Sequence, residues 1–423
     1  MFKTIIRTAM LATALISTSA FAKETVVWWD FLGGGDGVRM KQLISDFNKE
    51  NADKIEIQAT TLEWGVPFYT KVQTSVAVGA APDMMTYHAS RIPLAVKQGL
   101  LQPITPDDFK AMQLGQNDYA AATWDAATID GKQYAVPLDT HPIVLYYNKD
   151  ILAKAGLLDD KGLPTGLDGA DNFKAALGKA KAAGAKFGIA GVTADGNFMY
   201  RTIYSLMCQQ GGELYTNGKF LDGDNPAKLA KALATIADWT KSGLQSGYTD
   251  YPSTVALFTS GQAAFMINGV WEVPTMTDLK KNGKLFEWGA IELPKLFDKK
   301  CTYADSHTFA IPANKGKTMT PEKHAAVLQV ISWMAHHSLF WATAGHIPAY
   351  KPVVDSAEFK AMQPNAAYAA VTANLIFDPK TPLAGVAGPI FNVMSTYFVP
   401  AQNGELDPNE AVKKIKDELN NLQ

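Results

Sequence analysis

The sequence predicts an α/β protein built from two domains. Segments with the alternating pattern of strands and segments with helical periodicity follow one another through the amino-terminal part of the chain. Such alternation is typical of a parallel, doubly wound sheet covered by helices. Once the amino-terminal segment is set aside, about 400 residues remain, which is more than one hydrophobic core usually supports.

The first strand, turn and helix begin at a β-branched and aromatic run, TVVWW, at residues 25–29. The glycine cluster at residues 33–37 predicts a turn, and apolar residues at helical spacing predict a helix over residues 38–48. Further strands are predicted at residues 55–60 and 82–87. Because ligands of open α/β sheets lie beyond the carboxyl ends of the strands, the residues that follow each strand are candidates for a site.

The middle of the chain, residues 152–240, is rich in Ala, Lys and Gly and predicts a second domain. Its three helical patterns lie at residues 171–183, 200–210 and 226–241. Strand-like runs at residues 143–147 and 263–267 flank this region. The chain is therefore expected to cross between the domains more than once.

Residues 1–22 have the pattern of a cleavable secretory signal. Lys3 and Arg7 precede an apolar stretch, and the small-residue pattern Ala20-Phe21-Ala22 follows it. The apolar stretch is much shorter than the ~20 residues needed to span a bilayer. The residue directly after Ala22 is Lys23 and not a cysteine, so a lipid-modified amino terminus is not expected. We therefore expect a soluble protein exported to the periplasm.

The charge of the chain disfavours two classes of partner. The net charge is −2, and residues of both signs are interspersed, so neither nucleic acid nor a membrane surface is an expected partner. The two cysteines, Cys208 and Cys301, belong to no metal-binding or redox motif. We expect two separate buried thiols, with a disulfide between them as the alternative.

No catalytic motif stands out in the chain. The glycine cluster lacks the spacing of nucleotide-binding loops, and neither a GxSxG elbow nor an HExxH zinc motif is present. Ser306 and His307 are adjacent, so in a strand they would point to opposite faces. Many acidic residues could serve a glycoside hydrolase, but nothing selects a pair. We expect no enzyme activity, cofactor or metal, with a secreted carbohydrate-active enzyme as the alternative.

Aromatic and hydrogen-bonding side chains recur near the predicted strand ends. They are Trp28, Trp29, Asp30, Glu63, Trp64, Tyr87, His88, Asp139, His141 and Trp271. Flat rings can stack on the C–H faces of a sugar, while carboxylate and imidazole groups hydrogen-bond its hydroxyls. The combination indicates a carbohydrate ligand, although each tryptophan could equally belong to the core.

Several segments together resemble a known family. They are GAAPDM at residues 79–84, GKQYAVP at 131–137 leading to YNKD at 147–150, FTSGQAAFMINGVW at 258–271, GHIPA at 345–349 and the tail Asn403-Gly404-Glu405. In this order they resemble the bacterial extracellular solute-binding proteins that serve ABC importers, especially the sugar-binding group that includes maltose-binding protein.

The resemblance implies a two-lobed periplasmic binding protein fold with crossing hinge segments and a ligand cleft between the lobes. By analogy the amino-terminal lobe comprises residues 23–140 and 289–344, and the carboxy-terminal lobe comprises residues 141–288 and 345–423. Cleft closure on a small carbohydrate, delivery to the permease subunits of an importer in the inner membrane, and a monomeric state follow from the same analogy.

The resemblance also suggests where the ligand is held. It places Trp271 at a stacking position of the second lobe, Tyr87, His88 and Arg91 in the first lobe's wall, and His141 at a crossing segment. The full set of expected ligand contacts is Trp29, Asp30, Asp36, Glu63, Trp64, Tyr87, His88, Arg91, Asp139, His141, Phe198, Trp271, Asp305, His307 and His346.

The expected cleft residues depart from the maltose-binding pattern. Histidines stand at positions 88, 141 and 307, and Trp64 follows Glu63, so maltodextrin is not assigned as the ligand. A polyamine, a glycerophosphodiester or an iron complex stays open as a non-sugar alternative. If the ligand is cationic, as a polyamine is, the carboxylates of Asp30, Glu63 and Asp139 could bind it.

Overall fold

The computed structural model describes residues 23–423, and the predicted signal segment lies outside the described residues. Two large sheets with helices around them form an α/β fold, as the sequence predicts. Among the described residues, no helix has both the length and the apolar character needed to cross a bilayer.

The elements are labelled in chain order. The strands are β1 (Glu24–Asp30), β2 (Ile55–Thr61), β3 (Met84–His88), β4 (Thr128–Ile129), β5 (Lys132–Gln133), β6 (Ala135–Pro137), β7 (Asp139–Asn148), β8 (Phe187–Ala190), β9 (Tyr215–Thr216), β10 (Lys219–Phe220), β11 (Ala263–Gly269), β12 (Trp288–Glu292), β13 (Thr302–Asp305), β14 (His307–Ala310), β15 (Ile347–Pro348) and β16 (Leu375–Ile376). The α-helices are α1 (Gly34–Glu50), α2 (Val66–Ala77), α3 (Ile92–Lys97), α4 (Pro106–Met112), α5 (Ala121–Ala126), α6 (Lys149–Lys154), α7 (Ala170–Ala182), α8 (Gly196–Gln209), α9 (Asn225–Lys241), α10 (Tyr251–Thr259), α11 (Val273–Lys281), α12 (Pro321–His336), α13 (Ser338–Trp341), α14 (Lys351–Val354), α15 (Ala357–Ala361), α16 (Asn365–Tyr368), α17 (Pro389–Gln402) and α18 (Pro408–Asn421). Short 3₁₀ helices lie at Ala89–Arg91, Gln116–Asp118, Val270–Glu272, Ala342–Ala344 and Ala369–Ala373.

The first sheet has five strands in the order β2-β1-β3-β14-β6. β1 pairs in parallel with β2 and β3, whereas β14 returns antiparallel beside β3 and β6. Trp28 is fully buried in this sheet, donates its indole N–H to Thr86 Oγ1 at 3.1 Å and packs edge-on against Phe309. Of the aromatic candidates, Trp28 therefore belongs to the core.

The second sheet is organised around the long strand β7, all of whose residues are buried. β11, β12, β13 and β15 each pair antiparallel with β7. Helices α8, α9, α17 and α18 pack together beside this sheet.

The chain crosses between the sheets three times, at Leu138, at Ser306 and at Gly345-His346. β12 and β13 pair with β7, so residues 288–305 belong with the second sheet, and only β14 returns to the first. The sequence-based lobe assignment instead grouped residues 289–344 with the first lobe. We propose that the second crossing between the lobes lies at Ser306; the other lobe boundaries stay predictions.

Cys208 and Cys301 form a disulfide, with 5.8 Å between their Cα atoms. The expectation of two separate buried thiols was therefore wrong. Cys208 lies near the end of α8, and Cys301 directly precedes β13, which packs against that helix. Because this contact depends on tertiary packing across 93 positions, sequence spacing could not reveal it.

Candidate ligand-binding site

A cavity of about 630 Å³ lies between the two sheets. The first sheet supplies residues that directly follow β1 and β2, together with His88 at the end of β3. The second sheet's side supplies the start of α8, the start of α10 and the turn after β11, and two crossing strands supply His141 and His307. The cavity therefore occupies the carboxyl edge of the parallel strands, where α/β proteins bind ligands.

The structure brings eight of the expected ligand-contact residues to the cavity lining. They are Asp36, Glu63, Trp64, His88, His141, Phe198, Trp271 and His307. The other seven lie outside the lining, and each has a structural partner of its own. They are Trp29, Asp30, Tyr87, Arg91, Asp139, Asp305 and His346.

Four of these seven lie in or beside the first sheet. Trp29 has the Lys71 ammonium 5.7 Å from its ring centre. Asp30 accepts a hydrogen bond from the backbone N–H of Leu32 at 2.9 Å and so shapes the loop that leads into the cavity. Tyr87 is buried edge-on against Tyr69, and the Arg91 guanidinium lies over the Tyr69 ring at 4.5 Å.

Asp305 is buried at the second crossing. It accepts hydrogen bonds from the Ser90 backbone N–H at 3.1 Å, the Ser90 hydroxyl at 2.5 Å and the Ser306 backbone N–H at 2.8 Å. Its carboxylate thus ties the turn after β3 to the crossing between β13 and β14.

The remaining two, Asp139 and His346, lie beneath the cavity. The Asp139 carboxylate accepts hydrogen bonds from His141 Nδ1 at 3.0 Å, His307 Nδ1 at 2.8 Å and the His307 backbone N–H at 2.9 Å. It also accepts one from Trp341 Nε1 at 2.7 Å. His346 stacks on Trp341 with ring centres 4.8 Å apart and lies 3.4 Å from the same carboxylate. We call Asp139, His141, His307, Trp341 and His346 the floor cluster.

The floor cluster joins all three crossings, because Asp139, His307 and His346 each belong to a different one. Burial raises the pKa of Asp139, but His307, His346 and His141 outweigh burial and hold it well below its usual value. Asp139 is therefore ionised. An ionised carboxylate that is fully buried requires such partners, since burying it unpaired would cost several kcal/mol.

Two cavity-lining histidines are neutral. Burial, followed by the neighbouring His307, lowers the pKa of His141 to about 3. Burial likewise holds the pKa of His88 well below its usual value. The pKa of His346 is raised instead, because Asp36 and Asp139 outweigh the opposing effect of burial. His346 Nε2 lies 3.1 Å from the Asp36 carboxylate and Nδ1 lies 3.4 Å from that of Asp139, so the ring stands between two carboxylates.

The floor cluster also contains the residue types of a metal site. Ligating atoms of Asp139, His141, His307 and His346 all lie within 4.8 Å of one another. However, the His141 and His307 Nδ1 atoms are hydrogen-bonded to Asp139, and both carboxylate oxygens already accept further bonds. In a second group, His88, His141 and Asp305, the carboxylate is occupied by Ser90 and Ser306. Hydrogen bonds therefore occupy most of the ligating atoms of both groups. His346 is the exception, since neither of its buried ring nitrogens has a hydrogen-bond partner within the described residues.

The second lobe's wall presents Trp271 in a fixed position. Its indole N–H donates to the Tyr251 hydroxyl at 2.7 Å, and that hydroxyl lies within hydrogen-bond distance of Glu272 and Asn268. Gly269 is required here, because a Cβ at that position would overlap the Trp271 ring. The Trp271 ring is therefore held in place by the protein itself.

The first lobe's wall is less constrained. Trp64 is 48% exposed, and its ring meets His88 edge-on at 6.2 Å between ring centres. Beside it, Gly35 at the start of α1 packs so closely against Pro274 of α11 that a Cβ would overlap the proline. Arg39 and Asp278 form an ion pair at 3.9 Å between the same two helices. The two walls thus touch at one edge of the cavity.

Several lining residues were not predicted from the sequence. They are Phe31, Leu32, Gly33, Gly34, Gly35, Thr61, Leu62, Asp195, Asn197, Arg201, Tyr251, Glu272 and Thr275. Glu272 and Thr275 follow Trp271 closely, so the extended NGVW motif could have revealed them. Arg201 and Tyr251 carry no such signal, because they reach the cavity only through the packing of α8 and α10.

Comparisons with known proteins agree with this architecture. Residues 42–368 match the family model described as bacterial extracellular solute-binding protein. The chain belongs to this family.

Relatives of this solute-binding protein extend over most of its length. It is 24% identical to the galactooligosaccharide-binding protein of Bacillus subtilis over 95% of this chain and 89% of that protein. It is 26% identical to the lactose-binding protein of Rhizobium radiobacter over 70% of this chain and 67% of that protein. The fold is similar to that of the GacH receptor of Streptomyces glaucescens, with a TM-score of 0.78 and 18% identity over 95% of this chain and 98% of that chain. The predicted two-lobed binding-protein fold is thereby confirmed.

Proposed function

We propose that this solute-binding protein captures a sugar or short oligosaccharide in the periplasm and delivers it to the permease of an ABC-type importer. The observation that carries the proposal is the cavity between the sheets, which is lined by both aromatic rings and hydrogen-bonding groups. Trp64, Trp271, Phe198 and Tyr251 supply the rings, and carboxylates, imidazoles and Arg201 line the same cavity. A saccharide presents the matching surface, with apolar C–H faces and a rim of hydroxyls.

The size of the cavity fits the proposal. A volume of about 630 Å³ lies within the range of small-molecule sites and has room for more than one sugar ring. The relatives support the sugar class, since two of them are a galactooligosaccharide-binding and a lactose-binding protein. They do not identify one sugar for this chain.

Capture by closure follows from the way the cavity is built. Its walls come from two sheets that are joined by three crossing segments, and a ligand that contacts both walls favours the state in which they approach. The Gly35–Pro274 and Arg39–Asp278 contacts between the walls would be broken on opening.

A ligand screen tests the proposal directly. Thermal unfolding of the purified protein would be followed with maltotriose, lactose, α-1,4-galactobiose and diacetylchitobiose, and hits would be measured by isothermal titration calorimetry. At 100 times its Kd a ligand stabilises the folded state by about 2.7 kcal/mol, so a clear rise in Tm is expected. Spermidine and glycerophosphocholine serve as non-sugar controls. A rise with a control and none with any saccharide would overturn the sugar assignment.

Export and assembly are parts of the same proposal. We expect cleavage after Ala22, so the mass of protein recovered from the periplasm should correspond to a chain that begins at Lys23. We also expect a monomer, which light scattering on the purified protein would measure. Pull-down of the permease subunits by the sugar-loaded protein would test the macromolecular partner.

A further inference from the structure

The two imidazoles of the cavity floor are held from behind. His141 and His307 line the cavity, yet each is only 5% exposed, and each has its Nδ1 atom hydrogen-bonded to Asp139 beneath. Within residues 23–423, no side-chain or backbone group forms a hydrogen bond to either Nε2 atom. The ring edge opposite Asp139 is therefore left for whatever enters the cavity.

The partner of each ring decides which nitrogen carries the proton. An ionised carboxylate can only accept, so both Nδ1 atoms donate to Asp139. A neutral imidazole that is protonated at Nδ1 has a lone pair at Nε2. The low pKa of His141, about 3, agrees with a neutral ring. The neutral state of His307, which donates to the same carboxylate, is part of the inference that follows, and the spectra described below test it. His88 differs, because its Nδ1 partner is the Tyr69 hydroxyl at 2.6 Å, which can donate or accept.

We propose that Asp139 turns the floor of the cavity into a pair of hydrogen-bond acceptors, and that this floor selects saccharide ends with free hydroxyls over anionic sugars. The inference rests on the proposed function and adds a substrate class to it: neutral saccharides rather than uronic acids or sugar phosphates. Asp139 acts as a positioning residue, since it does not line the cavity itself.

The chemistry of the floor explains the selection. A sugar hydroxyl can donate to each Nε2 and leave no group unpaired. The charged oxygens of a uronate carboxylate or a sugar phosphate can only accept, so at the same place they would face two lone pairs with the Asp139 charge behind them. The acidic lining residues Asp36, Glu63, Asp195 and Glu272 outnumber the one basic lining residue, Arg201. An unpaired buried polar group weakens binding by about 10-fold or more.

The protonation state can be measured without any ligand. Long-range ¹H–¹⁵N correlation spectra of the full mature protein distinguish the two imidazole nitrogens, and the chain has only 7 histidines to assign. We expect a protonated Nδ1 and an unprotonated Nε2 in both His141 and His307. His141→Asn and His307→Asn identify the two signals, because each variant removes one. A protonated Nε2 in either residue would overturn the proposal.

Binding supplies the second measurement. α-1,4-Galactobiose and α-1,4-digalacturonate share a linkage and differ in their C6 carboxylates, and cellobiose and cellobiouronate differ in one such carboxylate. We expect each neutral sugar that binds to do so at least 10-fold more tightly than its acid. Equal affinity within a pair would overturn the selection while leaving the proposed function intact. If no saccharide binds, the inference falls together with the proposed function.

Matched variants distinguish the loss of an Nε2 acceptor from a loss of folding. His141→Asn and His307→Asn keep an N–H group at the position of Nδ1 for Asp139 but remove the Nε2 acceptor. We expect each to weaken binding of the neutral sugar about 10-fold or more while Tm stays close to that of the parent. His336→Asn, which changes an exposed histidine on α12, is the control and should bind normally. Unchanged affinity in both floor variants would contradict the proposal.

Discussion

The floor of the cavity and its outer wall hold their side chains in opposite ways. In the floor cluster, His141 and His307 are 5% exposed and bound to a buried carboxylate, whereas Trp64 in the outer wall is 48% exposed and contacts its neighbour only edge-on. Trp271 lies between these extremes, since its indole N–H is bound while its face is open to the cavity. The rigid groups can therefore set which ligand atoms fit, while Trp64 can adapt to ligands of different length.

The largest effect is expected when the charge of Asp139, which organises the floor cluster, is removed. In Asp139→Asn, the amide would present a donor to groups that are themselves donors, and His346 would lose one of the two carboxylates beside it. We expect a loss of about 3–5 kcal/mol in the free energy of unfolding, measured by urea denaturation. Asp53→Asn, at an exposed carboxylate, should change stability by less than about 0.5 kcal/mol. A loss of similar size in both variants would show that the floor cluster does not join the crossings.

The second prediction concerns Trp271, the ring whose position the protein fixes. We expect Trp271→Ala to weaken binding of the best saccharide about 30-fold, because about 2 kcal/mol of stacking and buried apolar area is lost. The fold should persist, since the Tyr251 hydroxyl retains Glu272 and Asn268 as partners. Trp271→Phe should recover part of the affinity in the same titration. Trp333→Ala, outside the cavity, is the matched control. Affinity unchanged by Trp271→Ala would mean that the ring serves the core.

The third prediction uses the neutral His141 ring. The folded pKa of His141, about 3, lies below the unfolded value of about 6.5, so between these values the unfolded chain binds the extra proton. Stability therefore falls as pH falls, by about 2 kcal/mol from this residue between pH 7 and pH 5. Urea denaturation at both pH values measures the change, and His141→Asn should make it smaller. An equal change in the variant would contradict the neutral assignment.

His346 has the opposite effect on how stability depends on pH, and it acts in another pH range. Its folded pKa is raised, so its stabilising contribution is complete below the unfolded value and is lost as pH rises through the folded value. The two histidines thus limit the most stable range from opposite sides.

The sequence predicts the architecture better than it predicts which side chains line the cavity and which are buried beneath it. Alternating periodicities and ordered motifs are local properties, and they were enough to predict an α/β protein with two lobes and crossings. Asp139 and His141 lie on one strand and are both nearly buried, yet only His141 lines the cavity. Which of the two lies beneath depends on His307, His346 and Trp341, which come from distant parts of the chain. Arg201, Tyr251 and the Cys208–Cys301 pair were missed for the same reason.

The smallest expected effect belongs to Trp64. Because its ring is 48% exposed and no residue in the described part of the chain hydrogen-bonds to it, a ligand must order the side chain as it binds. That loss of entropy offsets part of the stacking gain. We expect Trp64→Ala to weaken binding about 3-fold, with a larger loss for a longer oligosaccharide than for a disaccharide, measured by calorimetry on both. Val66→Ala, at an exposed residue of the same segment outside the lining, should leave both affinities unchanged. A loss as large as that of Trp271→Ala would show that the outer wall is as fixed as the floor in the ligand-bound state.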